Sequence, residues 1–202
     1  MVITFAHQKG GVGKSTLCLN VALALAHDLK VGIADLDPQG SLTDISDMFT
    51  SVTFVPTPQR LPELKALPYD LICVDTPPYL SDRLHDLFTV SDVVIIPTRA
   101  GVFDALAIRR TVEMVKRAQR ESPNLKAGIV LNMIKAGSTL TGEAEQVLSG
   151  YGFPILTTQI TDRVAFTRSP LTNGIFGGDD TKAKQQIANL CTEIINLTDG
   201  KE

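Results

Sequence analysis

The sequence predicts a doubly wound α/β fold, with a mostly parallel sheet and helices on both faces. Three observations carry this reading. Short apolar, β-branched runs alternate with helix-length segments along the chain. The runs are continuously apolar, as expected of parallel strands covered on both faces. The first run also leads directly into a Gly-rich loop that opens a helix.

Taken in order, VITFA (2–6) is the first strand, followed by the loop and a helical pattern from Lys14 to His27. KVGIADL (30–36), YDLICVD (69–75), DVVIIP (92–97) and KAGIVLN (126–132) supply four more strands. Segments 14–28, 80–89 and 102–121 are long enough for crossover helices. Near the C-terminus, Ile187, Leu190, Cys191, Ile194 and Ile195 recur at helical spacing within 182–197, which predicts a helix docked on the sheet. Its basic residues are Lys182 and Lys184, fewer than a membrane-surface helix usually carries. No repeat or linker interrupts the chain, so a single domain over 1–202 is expected.

Composition sets outer bounds. The 202 residues carry 19 Lys plus Arg against 22 Asp plus Glu, a formal net charge of −3. A chain 44% hydrophobic and 20% charged is an ordinary globular sequence, not a disordered one. Cys18, Cys73 and Cys191 stand singly, which suggests neither a disulfide framework nor a zinc site. No signal peptide or membrane-length apolar run is visible, so a cytoplasmic location is expected and no membrane partner.

The most informative stretch is Lys9-Gly10-Gly11-Val12-Gly13-Lys14-Ser15-Thr16. A phosphate bound here needs close backbone approach, which glycine permits. Successive N–H groups then face the anion, helped by the helix dipole. Lys14 would sit at the β- and γ-phosphates, the Ser15 hydroxyl on Mg²⁺, and Thr16 near the α-phosphate. The usual G-x₄-G-K-[ST] pattern fails at its first position, which is Gln8. What fits is K-G-G-x-G-K-[ST], with a second lysine at the start of the loop.

KGGVGKST resembles the deviant Walker A motif of the ParA/MinD family of P-loop ATPases. ADLDPQGS, LICVDTPP and SDVVIIPT extend the likeness over essentially the whole chain. Within that family the chain is most similar to the short ParA partition ATPases, which begin at the P-loop strand and lack an N-terminal helix-turn-helix domain. The resemblance implies a P-loop NTPase fold, ATP and Mg²⁺ as cofactors, and a sandwich dimer formed with ATP. It also implies that Lys9 reaches across that dimer to the partner's phosphates. Catalytic roles then fall to Lys9, Lys14 and Asp37, with Asp37 positioning the attacking water. Ser15, Asp35 and Asp75 form the expected metal set, Asp75 being the Walker B aspartate. Asp35 and Asp37 sit at the end of the second strand, where alternation places both on one side. Asn132 ends the fifth strand and is expected at the adenine. His7 reads as structural, and His27 and His85 as surface residues.

Two basic regions are candidates for DNA. Residues 99–126 carry a net +4 while the remainder carries −7. On the helix near 102–121, Arg109, Lys116, Arg117 and Arg120 share a face opposite Ala105, Ile108, Val112 and Val115. Arg163, Arg168, Lys182 and Lys184 form a sparser set where related ATPases place non-specific DNA contacts. The expectation is therefore an ATPase that segregates plasmid or chromosomal DNA, nucleoid-associated and stimulated by a centromere-bound ParB-like partner. A MinD-like membrane switch, a ParA-like ATPase for a non-DNA cargo and a metabolic enzyme or metallocluster carrier are the competing classes.

Overall fold

A computed structural model of the chain describes residues 1–79, 81–135 and 140–199. Six strands form one sheet: β1 (Val2–Phe5), β2 (Val31–Asp35), β3 (Thr53–Phe54), β4 (Leu71–Asp75), β5 (Val93–Thr98) and β6 (Lys126–Leu131). Their order is β3-β2-β4-β1-β5-β6, and every neighbouring pair is parallel. Parallel neighbours need crossovers, and among the described residues α1 (Lys14–Leu25), α2 (Asp82–Val90), α3 (Val102–Ala107) and α4 (Arg109–Glu121) lie on them, while α5 (Leu140–Ser149), α6 (Val164–Arg168) and α7 (Thr181–Asp199) follow the last strand.

Strand alternation divides the core in two. Ile72, Val74, Val94 and Ile96 point to one face, where Leu87, Phe88, Val112, Val115 and Leu148 cover them. Ile3, Phe5, Leu71, Cys73 and Ile95 point to the other, against Leu17, Val21, Ile187, Leu190 and Ile194. With both faces covered, no strand position in β1, β4 or β5 is left to solvent, which explains the unbroken apolar runs. Helix α7 docks on the sheet as its spacing predicts. All three cysteines are buried thiols in this second core.

Several expectations need correction. The segment 102–121 is two helices, α3 and α4, interrupted at Ile108, and beside the break the Gln8 amide donates to the Ala107 carbonyl at 2.5 Å. Strand β3 is only two residues long, and α5 and α6 were not foreseen. Asp37 does not lie on the strand: β2 stops at Asp35 and Asp37 follows in the loop. His85 is not on the surface. It is buried at the edge of the apolar face of α2, with Nε2 3.1 Å from Glu121 Oε1. His27 is exposed and His7 is buried, as expected. Leu80 of the predicted 80–89 helix and 200–202 of the C-terminal tail lie outside the described residues.

Candidate nucleotide site

Strand β1 lies between β4 and β5, so the loop leaving it emerges at the carboxyl end of the sheet with a strand end on either side. Open α/β sheets bind ligands there. The loop turns through two left-handed glycines, Gly11 (φ +69°) and Gly13 (φ +90°). At Gly13 a side chain is excluded twice over. The backbone conformation is unfavourable, and a Cβ would stand 2.2 Å from Asn132 Nδ2. Gly13 caps α1 without a side-chain hydrogen bond, so the first N–H groups of the helix remain available to an anion.

Side chains hold the loop from outside. Asn132 is buried, and its amide donates to the Val12 carbonyl at 2.7 Å while its oxygen accepts from Met133 N–H at 2.9 Å. It also lines a cleft with Thr16, Leu17, Met133, Arg163 and Phe166. Arg99, directly after β5, donates from Nη2 to the Gly11 carbonyl at 2.6 Å. Sequence reasoning missed Arg99. The usable signal was its place just past the end of the strand next to β1.

Lys14 opens α1 and is only 6% exposed. Burial pushes its pKa down, while the charges of Asp75 and Asp37 push it back up. Asp75 ends β4 and is fully buried. Its Oδ1 accepts from Thr76 N–H at 3.1 Å, but Oδ2 has no hydrogen-bond partner. Burial raises this carboxyl to about 7, partly opposed by the nearby Ser15 hydroxyl and Lys14. An orphaned, hard oxygen beside a serine hydroxyl and a phosphate loop fits Mg²⁺, which takes few protein ligands and keeps substrate phosphates and waters. Among the described residues no cluster of three or more acidic, His or Cys groups competes for that role.

The two aspartates after β2 differ in their hydrogen bonds. Asp35 accepts from Asp37 N–H, Leu42 N–H and Thr43 N–H, each at 3.0 Å, and from the Thr43 hydroxyl at 3.2 Å. Both its oxygens thereby help shape the loop 37–43. Asp37 closes a local turn through Gln39 N–H at 3.0 Å and is near enough to Lys14 to affect its titration. With Thr76, Pro77 and Tyr79, both aspartates line a cleft of about 260 Å³.

Lys9 is half-exposed, and its ammonium lies 2.5 Å from Asp104 Oδ1 on α3. Its N–H donates to His7 Nδ1 at 2.7 Å. His7 is held neutral at pH 7: burial, with Lys14, lowers its pKa to about 4. Of the candidate DNA residues, Arg163 is engaged by Asp180 at 2.6 Å, and Asp180 also accepts from Ala183 N–H at the start of α7. Arg168 and Lys182 are exposed, and Lys184 is half-buried. On α4 the basic residues face outward as the spacing predicts, opposite buried Val112 and Val115.

Comparison with known proteins agrees with this geometry. Residues 3–175 match the model of the CobQ/CobB/MinD/ParA nucleotide binding domain. The chain is 30% identical to maintenance of carboxysome distribution protein A of Halothiobacillus neapolitanus, over 96% of this chain and 95% of that protein. It is 27% identical to the chromosome-partitioning ATPase Soj of Thermus thermophilus, over 83% and 84%. Its fold resembles that of cobyrinic acid a,c-diamide synthase from Mycobacterium smegmatis with bound ADP and magnesium, with a TM-score of 0.75, 18% identity, and 96% and 94% of the chains covered. A six-stranded parallel sheet, a glycine-bent phosphate loop with two lysines and a family match spanning 3–175 lead to one conclusion: the chain belongs to the CobQ/CobB/MinD/ParA family of P-loop nucleotide-binding proteins.

Proposed function

We propose that this chain is a Mg²⁺-dependent ATPase of the ParA type that dimerises with ATP, binds DNA non-specifically and hydrolyses ATP on contact with a partner protein. The observation that supports it most is the pairing of a phosphate loop bearing both Lys9 and Lys14 with the buried, half-unpartnered Asp75. Lys14 and the N–H groups of residues 11–16 bind and orient the phosphates. Asp75 and Ser15 would hold Mg²⁺, which neutralises phosphate charge and orients the γ-phosphate. Asp37 positions the attacking water, and Asp35 positions Asp37 by fixing the loop that carries it. Asn132 holds the loop and borders the adenine cleft. Lys9 acts across the dimer, where a fixed cation stabilises charge on the transferred phosphoryl group.

The work done by this cycle would be segregation of plasmid or chromosomal DNA, with a ParB-like centromere-binding protein as the stimulating partner. A second reading, positioning of a non-DNA cargo such as a protein compartment, draws support from the 30% identity to a carboxysome-distribution protein. A membrane-switch role has less support, because the basic residues of α7 are Lys182 and Lys184 alone, fewer than a membrane-surface helix usually carries. ATP turnover measured with DNA and with a partner encoded nearby, separately and together, tests the proposal. Synergistic stimulation is expected, and turnover indifferent to both would refute the positioning cycle.

A further inference from the structure

Two consecutive carbonyls of the phosphate loop are held from outside by side chains. Asn132 Nδ2 donates to Val12 O at 2.7 Å, and Arg99 Nη2 donates to Gly11 O at 2.6 Å. A trans peptide unit is planar, so its carbonyl and the following N–H point in opposite directions. Fixing the Gly11 carbonyl outward therefore fixes Val12 N–H inward, toward the phosphate side. Fixing the Val12 carbonyl does the same for Gly13 N–H. The two side chains are themselves coupled, since Asn132 N–H donates at 2.7 Å to the carbonyl of Thr98, the residue before Arg99.

Charge points the same way. The Lys9 ammonium is met by Asp104, whereas Arg99, also exposed beside the loop, forms no ion pair among the described residues. Its guanidinium has five N–H donors, of which the structure shows one engaged. An unneutralised cation thus sits at the crown of a loop built to receive a polyanion.

We infer that Arg99 is a positioning residue of the phosphate site: through the Gly11 carbonyl it sets the direction of Val12 N–H, and it lends the site a positive charge that no side-chain carboxylate cancels. The inference rests on the ATPase reading for its ligand but concerns ground-state binding, so it can fail separately. Arg99→Met removes the bond and the charge at similar volume. Arg99→Lys keeps the charge and loses the planar fork.

The test is fluorescence titration of a labelled ATP and a labelled ADP into wild type, Arg99→Met and Arg99→Lys, with steady-state hydrolysis and ligand-free melting temperature in parallel. The expected result for Arg99→Met is about tenfold weaker binding, close to 1.4 kcal/mol. KM should rise by a similar factor with kcat within about twofold, and the ligand-free Tm should move by no more than about 2 °C. Arg99→Lys should recover part of the affinity, and raising the salt should narrow its advantage over Arg99→Met. Unchanged affinity in Arg99→Met would overturn the inference, and so would a fall in Tm with no change in affinity. A wild type that binds nucleotide without hydrolysing it would count against the ATPase reading alone, because the titration still decides the role of Arg99.

Discussion

Replacing Asp75 with asparagine separates the cost of the buried carboxylate from its proposed use at Mg²⁺. The substitution keeps the side chain's shape and removes its charge. In the ligand-free protein that charge is a burden, because burial carries the carboxyl from its ordinary 3.8 to about 7. A pKa raised by folding leaves stability intact at low pH and removes it as pH rises toward the folded value. The cost is absent below about pH 4, where the carboxyl is protonated in both states, and complete above about pH 7. At about 1.4 kcal/mol per pH unit it amounts to roughly 2 kcal/mol at pH 5 and roughly 4 kcal/mol at pH 8. The asparagine Nδ2 introduces an unpaired donor worth about 1–3 kcal/mol against it, but that cost does not depend on pH. The advantage of Asp75→Asn over wild type should therefore grow by about 2 kcal/mol between pH 5 and pH 8. Denaturant unfolding without nucleotide at the two pH values measures it. With Mg²⁺ and ATP the order should reverse, since wild type gains ligand stabilisation that the variant cannot. A pH-independent difference between the two proteins would refute the argument that Asp75 is an unsatisfied buried carboxylate awaiting a cation.

The remaining predictions are shorter. Gly13→Ala places a Cβ 2.2 Å from Asn132 Nδ2 at φ +90°, so it should lower stability by about 2–3 kcal/mol and abolish nucleotide binding, as read by chemical unfolding and titration. Asn132→Ala frees the Val12 carbonyl and should weaken ADP and ATP binding by about tenfold each, a change calorimetry resolves. Arg168→Ala with Lys182→Ala should weaken ATP-dependent binding to mixed-sequence duplex DNA and make its salt dependence shallower. Equal loss on changing Arg117 and Arg120 of α4 would move the DNA surface to that helix.

Much of this protein was legible because both of its main signals are local. Buried parallel strands leave continuous apolar runs, and a phosphate loop leaves glycines and lysines at fixed spacing, so five strands, α1, α7 and the loop could be read directly. What escaped depended on contacts between distant residues. Strand β3 is two residues long and exists only because Gly32 and Ile33 pair with Thr53 and Phe54. At the break between α3 and α4 the Ala107 carbonyl is met by Gln8, about a hundred residues away. Asp35 and Asp37 look equivalent in DLDPQ, yet Asp35 accepts from three N–H groups of the loop and Asp37 from one, although both line the cleft. Arg99 and Asp104 were visible only as parts of a charge total, and neither could be tied to Gly11 or Lys9 without the fold.

Lys9 offers the most direct test of the ATPase account, since its ammonium is held by Asp104 within the chain but is assigned to a partner's phosphates. Steady-state ATP hydrolysis and ADP affinity measured on wild type and Lys9→Ala decide the matter. Hydrolysis reduced at least tenfold, with ADP binding within about twofold of wild type, is the predicted result. Unchanged hydrolysis in Lys9→Ala would contradict it.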